Sequence, residues 1–434
     1  MKEGKSKGDV YPRVLIVNGE PLNSRTGMGI NLISLFGGWP AERLAILFTA
    51  RIDPQDGSCS HNWRLDTLSR YAKEVPLRAG DTPLIEGGRN AVESLSQMRS
   101  GFEDRLRGMT RAGLDLVPYL MPAGFHKAMS QFRPQVIYSC LGSIQLCRLA
   151  ARLAKAYTVP VAPHFTDDWI STEYYGNPWL ALHRYSLLRA VKSAVKHAQL
   201  GIAVTEAMAE EYAKEFGIPF HAFMNPLEVP AECPNFNEMG PESEVRFIYV
   251  GGLHLRRWQS LREIGEALWG LRQKGIRATL DIYAPDDDRQ QYGRRLAGPA
   301  VRLAGSLQQE QVFGVMSSGD VLVHVESFDA DMRARTRLSM STKISQYLAA
   351  GRPLLCYGPE EVTSSRYIES TQSGMVVGSR DPAMLLQALD RLCQDADLRK
   401  TLGRQAWTAA RLNHDTMAVR NRFRAVMVEA AQSA

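Results

Sequence analysis

Ser341-Thr342-Lys343-Ile344-Ser345-Gln346-Tyr347-Leu348-Ala349-Ala350-Gly351-Arg352-Pro353, running into Leu354-Leu355-Cys356, decides how this chain folds. Ser341 or Thr342 can cap a helix, because a hydroxyl there accepts from the unpaired N–H groups of the first turn. Ile344 and Leu348, four residues apart, supply a buried stripe, while Lys343, Gln346 and Tyr347 share a neighbouring face. Gly351 can close the helix in the left-handed conformation, and Pro353 then opens a strand. A short helix handed straight into an apolar strand is half of a parallel α/β unit. The segment also sets a cation and an amide near a helix start, whose dipole favours an anion. From these residues alone it is either a phosphate-proximal helix or a plain structural one.

The alternation extends upstream. Residues 245–250, 278–283, 301–304, 321–325 and 353–357 are predicted strands, with a helix over 260–274. Before them lies 226–244, a segment with four prolines and few consecutive apolar residues, which reads as a linker. In front of the linker the pattern occurs again. Strands are expected at 14–17, 44–49, 136–138, 159–162 and 201–204, and helices at 30–36, 144–156 and 178–197. The stretch 52–115 is polar and charged, and no element is assigned to it. Two α/β units, each opening with a strand and then a glycine-containing loop, predict two doubly wound parallel-sheet domains facing a cleft.

Composition narrows the class. The 434 residues suit two or three domains of roughly 150 residues. A hydrophobic share of 44% with 23% charged residues excludes a disordered, collagen-like or disulfide-scaffold chain. With 52 Lys and Arg against 46 Asp and Glu, the formal charge is +6. That excess favours anionic ligands or a membrane surface, but it is too small to mark a nucleic-acid binder. The six cysteines include no Cys-x-x-Cys pair, so reduced, buried thiols in a cytosolic protein are expected. No secretory segment and no run of about 18 apolar residues is present. The expected location is therefore cytoplasmic, with any membrane contact made only from the side.

Three segments could carry chemistry. Gly27-Met28-Gly29 follows the opening strand, yet the third glycine of a dinucleotide fingerprint is replaced by Leu32 and no acidic residue closes the second strand. The loop is either an ordinary one or one whose backbone N–H groups approach a phosphate or sugar. Gly251-Gly252-Leu253-His254-Leu255-Arg256-Arg257 opens the second unit, and its two arginines can grip a diphosphate with paired donors. A solvated basic loop is the plain alternative. The third segment is the helix with Lys343.

Residues 342–353 resemble the pattern Lys, apolar, x, Glu, Tyr, Leu, Ala, x, Gly, Arg or Lys, Pro of retaining GT-B glycosyltransferases of the glycogen-synthase-like "group 1" family. Phe247 to Gly251 with Arg256-Arg257, Arg302 to Ser306 and Asp320 to His324 continue the match in order. Thr205 to Met208 and Asn225-Pro226 resemble comparable steps of the family's first domain. The resemblance covers most of residues 13–425. It implies a GT-B fold with an acceptor-side domain at 1–228, a nucleotide-sugar donor domain at 229–412 and a terminal helix at 413–434 returning to the first domain.

The same resemblance implies roles. Arg257 falls at the family's diphosphate-binding Lys, or Arg256 does if the loop shifts by one. Gly252 occupies the usual companion Arg position, after Gly251. Gly305, Ser306 and Leu307 would lie by the base, and Ser341, Thr342 and Lys343 by the diphosphate. Gln346 sits at the second Glu of the Glu, seven residues, Glu motif that holds the donor ribose. The first Glu falls at Leu338, and Asp329 or Asp331 from a nearby insertion would supply a carboxylate instead.

On the acceptor side, His164-Phe165-Thr166-Asp167-Asp168-Trp169 follows a predicted strand. The family often has a His-Asp step here. His164, Asp167 and Asp168 are the candidate catalytic residues, with carboxylates to bind sugar hydroxyls or act as a base. Capping of the following loop is the structural alternative. Tyr174, Tyr175 and Trp179 would stack on sugar rings or lie in the core. Arg184, Arg189, Lys192, Lys196 and His197 would face an anionic bilayer or solvent.

The expected function is glycosyl transfer from a nucleotide sugar to a glycan or lipid-linked acceptor, with retention, in polysaccharide or glycoconjugate biosynthesis. No cofactor, metal or nucleic acid is expected. The alternatives are a degenerate GT-B protein that binds without transfer and, third, a sugar-nucleotide epimerase.

Overall fold

The computed structural model describes residues 11–65, 113, 115–175, 178–235 and 243–432. Most of the unassigned 52–115 stretch, and 236–242 of the linker, lie outside these residues. The first sheet has seven strands in the order β3-β2-β1-β4-β5-β6-β7. They are β1 (Val14–Asn18), β2 (Leu44–Phe48), β3 (His61–Arg64), β4 (Val136–Ser139), β5 (Val161–Phe165), β6 (Gly201–Ala203) and β7 (Phe220–Ala222). Every pairing is parallel, with Ile16 opposite both Ile46 and Tyr138. The second sheet, also parallel, runs β10-β9-β8-β11-β12-β13. Its strands are β8 (Val245–Val250), β9 (Ala278–Tyr283), β10 (Val301–Gly305), β11 (Val321–Val325), β12 (Leu354–Tyr357) and β13 (Gly374–Val377). Two Rossmann-like domains result.

The continuous apolar runs follow from this arrangement. Strands covered by helices on both faces have no solvent side, and β1, β2, β4, β11 and β12 are buried at every position. Strands β3, β7 and β13 escape that signal. β3 alternates half-buried with exposed residues, β7 is half-buried throughout, and only Val377 of β13 is fully buried.

The expected strand at 159–162 is displaced to Val161–Phe165, because the chain still closes the preceding helix when Val159 N–H donates to Ala154 C=O at 3.1 Å. His164 therefore lies inside β5, not after it. The basic helix spans Ala181–Val195 behind a 3₁₀ turn at Pro178–Leu180. The last helix, Thr416–Gln432, presents Val419, Phe423, Val426, Met427 and Ala430 to the core of the first domain, beside Phe36 and Tyr138. Its Arg420 Nε donates to Ser34 C=O at 2.8 Å, and its guanidinium lies where a Cβ at Gly37 would stand. All six cysteines are free, five buried and Cys233 half-buried.

Candidate functional site

In open α/β sheets, ligands gather beyond the carboxyl ends of the strands where the strand order reverses. The second domain has that point between β8 and β11. Gly251 and Gly252 leave β8 there. A Cβ on Gly251 would stand 2.7 Å from Tyr249 Oη and 2.8 Å from Lys343 Nζ, so only glycine lets the lysine head reach this turn. A Cβ on Gly252 would meet the His254 ring at 2.4 Å, so that exposed ring would have to swing aside for any other residue. Tyr249 Oη donates to Gly252 C=O at 2.6 Å, and Leu253 N–H donates to Asp288 at 2.6 Å, so the turn is tied from both sides.

Leu255 and Arg256 both adopt left-handed backbone angles, φ 55° and 59°. Two successive non-glycine residues in that region are strained, a cost of order 1–3 kcal/mol each that surrounding structure must hold. The strain throws Arg256 outward and starts the following helix, Arg257–Gln273, three residues earlier than expected. The two arginines then diverge. Arg256 is exposed and pairs with Asp329 at 2.6 Å and Asp331 at 3.1 Å. Those aspartates are thus held by an arginine in this structure. Arg257 turns inward, its Nη2 3.2 Å from Glu326 Oε1.

Glu326, at the end of β11, was not singled out by the sequence. Burial pushes its carboxyl up, but Arg257 and His324, whose Nε2 lies 3.2 Å away, outweigh that and hold it below the usual range. Arg257 likewise keeps its charge: burial opposes it, and Glu326 overrides. Arg257 is thus a half-buried cation oriented by a buried anion. Lys343 is the second cation of the site. Burial, then the neighbouring Arg257 charge, lowers its ammonium to about 8, against a smaller opposing effect from Asp288. A free-state value near 8 means that a bound diphosphate would raise it. Diphosphate affinity is expected to fall as pH rises above 8, and binding near pH 8.5 to take up a fraction of a proton. Calorimetry in two buffers of different ionisation enthalpy measures that uptake; none at pH 8.5 would remove Lys343 from the contact.

The helix carrying Lys343 is short, Lys343–Ala349. Thr342 makes no side-chain cap, and Lys343 N–H reaches Ser341 Oγ only at 3.4 Å. Two turns carry a weak dipole, so the cation outweighs the helix end. Tyr347 does not lie open beside Lys343: it is buried, donating to Val250 C=O and accepting from Val250 N–H, both at 3.1 Å. That clamp locks the helix to β8. Gln346 is half-buried on the same short helix. Gly351 takes φ 63°, as its closing role requires. Gly305, φ 109°, ends β10 on the same sheet edge, followed by Ser306, which hydrogen-bonds Asp286, and half-buried Leu307.

In the first domain the reversal lies between β1 and β4. The helix expected at 30–36 starts at Gly27, so both glycines sit in its first turn, not in a loop. Thr26 caps it through Gly29 N–H at 3.1 Å, and Gly29 is small because the Asn23 side chain lies 2.2 Å from where its Cβ would be. Gly27 has open space around it. His164 is fully buried, with Nδ1 2.5 Å from Tyr138 Oη, and burial lowers it to about 3. Its ring is enclosed against Tyr138, where burial disfavours the charged form. Asp168 is buried too, its Oδ1 accepting from Tyr212 at 2.7 Å and Ser171 at 2.8 Å. Only Asp167 is exposed, hydrogen-bonded to the Ser339 hydroxyl of the second domain.

The strip Arg337-Leu338-Ser339 joins the domains. Arg337 forks onto Glu211 at 2.5 and 2.6 Å, and Leu338 C=O accepts from Thr205 Oγ1 at 3.0 Å. Leu338 packs in the apolar cluster of the first domain. The position where the resemblance places a ribose-binding Glu is thus an interdomain anchor. Among the described residues, no group of three or more His, Cys, Asp or Glu is placed to hold a metal ion.

Residues 244–395 match the family model described as "Glycosyl transferases group 1". No curated protein matches the chain. Solved structures match nearly its whole length. Sucrose-phosphate synthase from Thermosynechococcus elongatus is 14% identical with a TM-score of 0.59, covering 97% of this chain and 100% of its own. HepE of Anabaena in complex with UDP-glucose is 13% identical at 0.56, covering 96% and 99%. WaaG, titled a glycosyltransferase involved in lipopolysaccharide biosynthesis, is 11% identical at 0.52, covering 97% and 100%. The fold is GT-B, with the matched residues in its second half.

Proposed function

We propose that the chain transfers a sugar from a nucleotide-sugar donor, held by the second domain, to a glycan or lipid-linked acceptor at the first domain, with retention at the anomeric carbon. One observation carries the reading: Lys343 Nζ and the Glu326-oriented Arg257 meet at the glycine turn that ends β8. Negative charge grows on the departing diphosphate, and cations already in place there lower the barrier without reorganising. The UDP-glucose seen on HepE supports a nucleotide sugar as donor. Asp167, exposed at the domain junction, would receive an acceptor hydroxyl proton, and Asp168, hydrogen-bonded by Tyr212 and Ser171, would position the loop.

Nucleoside diphosphate is expected to stabilise the protein without divalent metal, by about 2.7 kcal/mol at a hundredfold excess over Kd. A thermal shift that vanishes in EDTA would contradict this. Labelled donor sugar then tests transfer: a glycosylated acceptor supports the reading, and an isomerised donor shows epimerisation. Asp167→Asn is expected to lower turnover and leave diphosphate Kd within about threefold, under 1 kcal/mol. Asp168→Asn should instead act mainly on stability, by about 1–3 kcal/mol. Unchanged turnover in Asp167→Asn would remove the catalytic assignment.

A second reading, binding without transfer, draws on Leu338 and Gln346 standing where the family has glutamates. Donor binding with no labelled product from any acceptor tried would favour it.

A further inference from the structure

One stretch of the chain carries a marked excess of positive charge. Residues 116–205 hold nine Lys or Arg against three Asp or Glu, an excess of six that equals the formal charge of the whole chain. Two helices of that stretch pack together, Ile144–Tyr157 and Ala181–Val195, and neither contains an acidic residue. The first exposes Arg148, Arg152 and Lys155. The second exposes Arg189, Lys192 and Lys196, the last just past its end, at spacings of three and four that keep them on one stripe.

That stripe changes character toward its start. Leu182 and Tyr185 continue it at 80% and 63% exposure, and Trp179 and Tyr175 before the helix are 81% and 76% exposed. Isolated exposed apolar side chains are ordinary, but four large ones within eleven residues form a patch. Burial in the core, one expectation for Tyr175 and Trp179, is overturned. Arg184 and His197 do not join the cationic face. Arg184 donates to the carbonyls of Ile170 and Glu173, and His197 is half-buried. Glu215 of the flanking helix Glu206–Phe216 faces Lys192 and Arg184 and bounds the cationic face on that side.

We propose that this surface docks on an anionic lipid bilayer, with the Trp179–Tyr185 tip entering the headgroup region and the cations of both helices lying on the phosphates. Trp and Tyr favour that interface because one end is apolar and the other wets, and basic helices gain from negative surface potential. Nothing here needs a spanning segment, and no helix among the described residues is long and apolar enough to cross a membrane. The helix follows β5 in a parallel sheet, so its start lies at the carboxyl edge of the strands, the edge that carries Asp167. Docking would hold the acceptor side of the cleft against the bilayer. That last step rests on the proposed function; the docking itself does not.

Cosedimentation with vesicles of phosphatidylcholine containing phosphatidylglycerol tests it directly, without donor or acceptor. Binding is expected to these vesicles, far less to pure phosphatidylcholine, and to weaken with salt. Arg189→Ser/Lys192→Ser/Lys196→Ser together should weaken partitioning about a hundredfold, given the usual contribution of each cation near a charged surface. Trp179→Ser/Leu182→Ser should also weaken it several-fold at unchanged charge. An unaltered thermal unfolding midpoint and far-ultraviolet circular dichroism spectrum show that each variant is folded. The proposal is overturned if the wild-type protein stays in the supernatant, or if both variants sediment as it does. It is also overturned if loss occurs only with the cation variant while an RNA of equal charge competes fully, which would mark a polyanion site. Vesicle binding without sugar transfer would leave docking standing and remove only the proposed function.

Discussion

Phe423→Ala is expected to destabilise the first domain by about 3–5 kcal/mol, the range for emptying a buried phenyl site. Phe423 is fully buried, with ring centroids 5.1 Å from Phe36, 5.5 Å from Phe223 and 6.0 Å from Tyr138. It therefore pins a helix 400 residues distant in sequence to the strands that begin the chain. Phe423→Leu, which keeps most of the volume, should cost less than about 1.5 kcal/mol. A chain of two domains need not unfold in one step, so the transition to follow in urea is the one reported by first-domain probes. An unmoved midpoint in Phe423→Ala would mean that the last helix is not part of that core.

The second large effect is expected at the glycine turn. Lys343→Ala should remove roughly 2–4 kcal/mol of transition-state stabilisation, about thirty- to a thousandfold in kcat/KM. Arg257→Ala should cost as much in catalysis, and more in stability. It strands Glu326 as an uncompensated buried charge, a loss of about 3–5 kcal/mol. Lys343 has no buried acid depending on it, so its variant is the cleaner measurement. Unchanged efficiency in Lys343→Ala, with the fold intact, would sink the diphosphate assignment for that residue. If Arg257→Ala fails to fold, Arg257→Ala/Glu326→Gln removes the stranded charge and isolates the catalytic effect.

The parts of the fold legible in the residues were those whose burial is local and complete. Strands such as 245–250, 278–283 and 321–325 stand at their expected bounds because every position, or nearly so, faces a helix layer. β3 and β7 were invisible for the opposite reason. They are edge strands, half wetted, and carry no continuous apolar run. The glycine at 251 and the lysine at 343 were legible as a pair of motifs, since each has a steric or chemical reason that spacing preserves. Their contact was not, because 92 residues of chain separate them.

In the acceptor-side segment, what the residues did not reveal was exposure. His164 and Asp168 are residue types suited to proton transfer, and nothing in their order says that one lies under Tyr138 and the other under Tyr212. Glu326 was passed over because an acid after a strand is ordinary until Arg257 and His324 are seen against it.

The sequence by itself determined the two α/β units, the helix that presents Lys343 and the concentration of positive charge in 116–205. These depend on periodicity, turn chemistry and composition, which are properties of neighbours along the chain. Only the tertiary structure decided which arginine turns inward, that Leu338 anchors one domain to the other, and that Trp179, Leu182 and Tyr185 stay outside. Burial and charge pairing are set by residues far apart in sequence, and no local pattern contains them.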